Sequence, residues 1–142
     1  MGTSASSAAA PAVIDALAWV HVREGRVLKV RSTGKDAYYL PGGKREPGES
    51  DAEALLREVE EELSVRLRPE TLEPFAVIDA EAHGHAPGTR VRLTCYTAEH
   101  DGEPVPSREI EEIAWLGLDD AARCAPAGRR VLERLHERGL IG

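Results

Sequence analysis

LPGGKREPGESDAEALLREVEEELSV, residues 40–65, carries eight acidic side chains in twenty-six positions, directly after a double glycine. Its second half has helical periodicity. Ser50 can act as N-cap, and Glu53 three residues later completes a capping box. At about 100° per residue, Leu55, Val59, Ala52, Leu63 and Leu56 gather on one stripe of a helix that ends near Ser64. Glu58, Glu61 and Glu62 fall together at the edge of that stripe. One face of this helix is therefore built for a core. The adjoining carboxylates are either a solvated acidic face or the holders of something positive.

Outward from the helix the chain reads as strands. Ala12–Val22 is a mostly apolar run, and Glu24-Gly25 makes a turn. In Arg26–Ser32, Val27, Lys29 and Arg31 alternate with Leu28, Val30 and Ser32, so the two segments read as a β-hairpin. Tyr38–Leu40 is a short strand ending at Pro41-Gly42-Gly43. Downstream, residues 74–82 and 89–100 read as strands around the loop HGHAPG, residues 83–88. Residues 109–118 form a further strand, Asp119-Asp120 cap a short helix, and Gly128–Arg138 forms a last helix with Val131, Leu132 and Leu135 on one stripe. Strands and helices mix without regular βαβ alternation. The expected class is α/β in the broad sense (α+β), a mixed sheet between helices.

At 142 residues, the chain is expected to form a small polar tail over residues 1–11 and a single domain over residues 12–142. Its 42 % hydrophobic and 30 % charged content suits a soluble globular protein. The two cysteines, Cys95 and Cys124, form no CxxC and read as reduced thiols, Cys95 as a core residue. With no apolar run of membrane-spanning length and no basic, apolar leader, the expected location is the cytoplasm, without membrane contact. The net charge of −7 argues against a nucleic acid polymer as partner, because gripping one takes a basic face. A phosphate-bearing ligand would need a cation between two sets of negative charge.

Glu58–Glu61 and Glu58–Glu62 are like-charge pairs at i,i+3 and i,i+4, each costing a few tenths of about 1 kcal/mol. Only Arg57 is near enough to relieve them. A hard divalent cation would do so, since such ions take oxygen ligands. The two glycines allow close backbone approach, and their carbonyls can serve as ligands as well.

The combination resembles the signature of the Nudix hydrolases, G-x5-E-x7-R-E-U-x-E-E-x-G-U, where U is bulky and aliphatic. Gly43, Glu49, Arg57, Glu58, Val59, Glu61, Glu62 and Val65 fall on the pattern in register. Ser64 stands where the pattern has its last glycine. The resemblance is specific, and the order of strands and helices follows the family over most of the chain. It implies a Nudix-type mixed β-sheet sandwiched between α-helices. It also implies Mg²⁺ or Mn²⁺ held against a diphosphate linkage by Glu58, Glu61 and Glu62 with the Gly42 carbonyl. Arg57 would orient the carboxylates, and Glu49 would support them from the helix start. The general base is expected at Glu61 or in the segment SREIEEIAW, residues 107–115, at Glu109 ahead of Glu112.

The resemblance implies a pyrophosphohydrolase, MutT-like, in which water attacks a phosphorus of a nucleoside diphosphate derivative. A nucleoside triphosphate or an oxidised nucleotide is the expected substrate, since residues 79–83 hold neither the tyrosine nor the proline that marks two other subfamilies. Arg31, Lys35 and Tyr39 precede or flank the signature and are candidate substrate contacts. Tyr38, Trp19 and Trp115 are the other aromatics able to stack on a base, the two tryptophans being more typical of a core. His83 and His85 read as loop residues. A homodimer is possible by analogy with relatives. The alternative from another class is a catalytically silent Nudix-fold module that binds a nucleotide as a sensor; retention of all three glutamates argues against it.

Overall fold

The apolar run at residues 12–22 divides its hydrogen bonds between two sheets. In the computed structural model, which describes residues 12–142, β1 spans Val13–Trp19 and the two-residue β2 spans Val22–Arg23. The expected tail lies outside the described residues. Only β2 forms the hairpin with β3 (Arg26–Ser32), pairing Val22 with Val27 and Arg23 with Arg26. β1 instead lies parallel to β7 (Arg90–Thr97) along its whole length and antiparallel to β4 (Gly42–Lys44). This corrects the expected hairpin. A tight turn dictates pairing only for the residues beside it, and the choice of partner further back is made by burial.

With β6 (Glu73–Glu81) the first sheet has the order β4-β1-β7-β6, and the second has the order β2-β3-β9, where β9 is Ile110–Leu116. A two-residue pair, β5 (Arg66–Leu67) with β8 (His100–Asp101), closes one end. Helix α1 covers Asp51–Leu63 and α2 covers Pro126–Glu137. Short 3₁₀ turns occupy Pro69–Thr71 and Leu118–Arg123. In the latter the Gly117 N–H donates to Asp120 Oδ2 at 3.0 Å, so Asp120 caps it.

Side-chain alternation divides the core into two layers. Leu17 and Trp19 of β1, with Leu28 and Val30 of β3, pack against Leu55, Val59 and Leu63 of α1. Ala18 of β1 and Val27 of β3 pack on the other side against Val131, Leu132 and Leu135 of α2. The strands are thus buried on both faces, as the expected sandwich requires. Cys95 and Cys124 are both buried, free thiols on the α2 side.

Lys29 shares the α2 side with Val27. It is fully buried, and its Nζ has no hydrogen-bond partner among the described residues. Burial pulls its pKa below the ordinary lysine value, because the charged form would be stripped of water. Space for it comes from Gly128 in the first turn of α2, where a Cβ would sit 2.5 Å from Lys29 Nζ. Among the described residues no helix is long and apolar enough to cross a membrane.

Candidate active site

α1 starts where the sequence places it. The Glu53 N–H donates to Ser50 Oγ at 3.1 Å, and the Ser50 N–H donates to Glu53 Oε1 at 2.9 Å, a reciprocal capping box. The helix ends at Ser64 in the left-handed region (φ 58°, ψ 31°), with its N–H donating to the Glu60 carbonyl. This is the position where the family pattern has glycine, and the backbone there is glycine-like. Ser64→Gly is expected to raise stability by about 0.5–1 kcal/mol with turnover unchanged, read by thermal melting and steady-state kinetics.

The double glycine is built into β4 beside β1. Gly42 has φ +143°, and a Cβ on it would lie 2.0 Å from the Leu17 carbonyl oxygen. A Cβ on Gly43 would lie 2.5 Å from the Glu58 carboxyl carbon. The first glycine lets β4 close on β1; the second leaves room for a carboxylate over the strand. The Gly42 N–H donates to Glu62 Oε1 at 3.0 Å, which orients that side chain.

Arg57 ties the acids together. Its Nε and Nη2 donate to Glu49 at 2.7 and 2.9 Å, a bidentate pair, and its Nη1 donates to Glu58 Oε2 at 3.0 Å. Nη1 also lies 3.7 Å from Glu61 Oε1. The hydrogen bonds from Arg57 hold the Glu49 carboxyl down at about 2. Glu62 goes the other way. Desolvation by burial, and the charges of Glu58, Glu109 and Glu61, push it up to about 8 against one opposing hydrogen bond from Gly42. Glu58 is also raised, chiefly by burial.

Glu109, just before β9, is exposed, yet its charge bears on both Glu58 and Glu62. Glu112 is held instead by Arg31, whose Nε donates to Glu112 Oε1 at 3.0 Å and whose Nη1 donates to the Lys35 carbonyl at 3.1 Å. Arg31 is therefore occupied by a carboxylate. Lys35 and Tyr39, with Glu62, Gly42 and Gly43, line a cavity of about 370 Å³ whose walls are mostly apolar. Trp19 is fully buried and stacked on His21, and Trp115 is half-buried in the core, so neither faces the cavity.

Two residues read as plain loop line it as well. His83 and His85 stand on its wall, and His83 Nε2 lies 3.0 Å from Asp36 Oδ1. The signal available in the sequence was the spacing HGH between two strand-like runs. The partner, Asp36, is 47 residues away, and nothing local joins the two.

The donor set is one of hard oxygens with excess negative charge, which fits a divalent cation. Among the described residues no group of three or more His, Cys, Asp or Glu side chains is already gathered tightly enough to hold a metal ion.

A family model, the NUDIX domain, matches residues 12–135. The asymmetrical bis(5'-nucleosyl)-tetraphosphatase of Sus scrofa is 34 % identical over 100 residues, covering 70 % of this chain and 68 % of that protein. Nucleoside triphosphatase NudI of Enterobacter sp. (strain 638) is 35 % identical over 85 residues, covering 54 % of this chain and 59 % of its own. Among solved structures, a MutT NUDIX hydrolase from Burkholderia pseudomallei superimposes with a TM-score of 0.69 at 26 % identity, covering 86 % of this chain and 96 % of that one. The curated relatives are matched over 12 % to 68 % of their own length.

Proposed function

This chain belongs to the Nudix family, and from that premise we propose that it is a metal-dependent pyrophosphohydrolase of nucleoside triphosphates or oxidised nucleotides. One observation carries the reading. Glu62 lines a mostly apolar cavity, Glu58 stands one helical turn from it, both are raised in pKa, and the arginine that reaches Glu58 is shared with Glu49. A protein that kept such a cluster for structure alone would incur a cost with no return.

Glu58, Glu61, Glu62 and the Gly42 carbonyl would hold Mg²⁺ or Mn²⁺, which supplies charge neutralisation and Lewis acidity at the phosphate oxygens. The chain's own residues do the rest. Arg57 fixes the direction of Glu58 and Glu49, and the Gly42 N–H fixes Glu62. The attacking water loses its proton to a carboxylate oxygen of Glu109 or Glu61 as its oxygen bonds to phosphorus. The P–O bond on the far side breaks, and the leaving phosphate departs with that bond's electron pair. Glu109 is favoured over Glu112 because Glu112 is paired with Arg31. Lys35 and Tyr39 would meet the substrate in the cavity. Arg31 serves only if a phosphate displaces Glu112.

The reading is tested by incubating the protein with nucleoside di- and triphosphates, oxidised nucleotides and ADP-ribose, with Mg²⁺, Mn²⁺ or EDTA. Release of phosphate or pyrophosphate that needs the metal is expected. Tight binding of one nucleotide with no turnover across the panel overturns it in favour of a sensor.

A further inference from the structure

The cavity lined by Glu62 carries more than one kind of chemistry on its wall. Gly42, Gly43 and Glu62 line it, and so do Tyr39 and His83. His83 begins the loop between β6 and β7, and Tyr39 precedes β4. Their rings lie 6.2 Å apart, centroid to centroid, at 60°. Asp36 reaches across from the loop after β3 to hold His83 Nε2, although the aspartate side chain is itself 86 % exposed. The loop is closed at its base, where the Ala82 N–H donates to the Thr89 carbonyl at 2.9 Å. His83 is held by a hydrogen-bonding carboxylate from a second loop and lies near an aromatic ring on the cavity wall.

We propose that His83, pinned by Asp36 and set beside Tyr39, is the residue by which this site selects a substrate with a flat aromatic base over one with phosphates alone. The proposal rests on the pyrophosphohydrolase reading and extends it to the far end of the substrate. Most of the wall is apolar, with Ile14, Leu17, Val30, Val91 and Leu93 among its residues. Such a slot desolvates a planar ring, and stacking on one aromatic side chain is worth enough to matter for affinity. The Asp36 carboxylate holds Nε2, which leaves Nδ1 as the ring atom free to meet a polar edge of the base. A bare polyphosphate gains nothing from either feature.

The test compares wild type with His83→Ala, His83→Phe and Asp36→Asn on a nucleoside triphosphate and on inorganic tripolyphosphate. It adds the Kd of a nucleoside monophosphate in EDTA by calorimetry. For His83→Ala, KM for the nucleotide and Kd for the monophosphate should each rise roughly tenfold, with kcat within about twofold. Tripolyphosphate kinetics should not move. Phenylalanine should restore most of the affinity, and Asp36→Asn should fall between. Unchanged nucleotide affinity in His83→Ala overturns the proposal, as does an equal loss with tripolyphosphate. If wild type binds the monophosphate but hydrolyses nothing, the enzyme reading fails, and the calorimetric shift still decides the role of His83. If wild type binds no nucleotide at all, both fail.

Discussion

Glu62→Gln should make the metal-free protein more stable while cutting metal-dependent turnover by roughly 10²–10³-fold. Both effects come from one carboxylate. Its folded pKa of about 8 lies above the ordinary value of 4.5, so the folded state keeps a proton that the unfolded chain gives up. Stability from this group is therefore full below pH 4.5 and is lost as pH rises toward 8. In EDTA the wild type should melt progressively lower across that window. The glutamine variant lacks this contribution, so the gap widens with pH to about 2 kcal/mol, or roughly 6 °C. The full shift would give more, but carboxylates near a cavity mouth regain water by small movements. Added Mg²⁺ should stabilise wild type and leave the variant nearly unmoved. A variant that melts with wild type at pH 8 in EDTA would show that Glu62 is not strained by its burial.

Gly42→Ala is the second large effect, and it concerns the fold. The added methyl would meet the Leu17 carbonyl oxygen at 2.0 Å, with the Ala18 α-carbon at 2.9 Å. Both obstacles are backbone of β1, a central strand of its sheet, so neither can rotate away. The residue is also in the left-handed half of conformational space, at φ +143°. A loss of about 3–5 kcal/mol is expected, or failure to accumulate as folded protein. Gly43→Ala is a useful contrast. The three atoms nearest its methyl all belong to the Glu58 carboxylate, the movable end of a side chain. That variant should melt within about 1 kcal/mol of wild type while losing activity, because Glu58 is pushed out of line. Equal melting losses for the two glycines in circular dichroism would contradict this division of labour.

The parts legible in the sequence were those governed by local rules. The capping box and the apolar stripe of α1 depend on residues a few positions apart, and the structure reproduces both. Pairing was not legible at β1, because a run of apolar residues is equally content beside β3 or beside β7. The alternation in β3 was read correctly as to which side chains share a face. It did not reveal that both faces are covered, since a lysine in a strand ordinarily signals water. His83 escaped for a related reason. Its partner Asp36 and its neighbour Tyr39 lie far away in sequence, and a histidine in a Gly/Pro-containing loop has no periodicity to betray it.

Lys29 and Gly128 occupy one volume between them. Evolution can therefore change neither position alone at low cost. An alanine at 128 drives its methyl into the amine, and a bulkier residue at 29 has only the glycine to expand against. Across the family the two positions should drift as a linked pair, with a side chain at 128 appearing where the strand residue has become short. Lineages that keep the lysine should keep the glycine, although the two are ninety-nine positions apart in the chain.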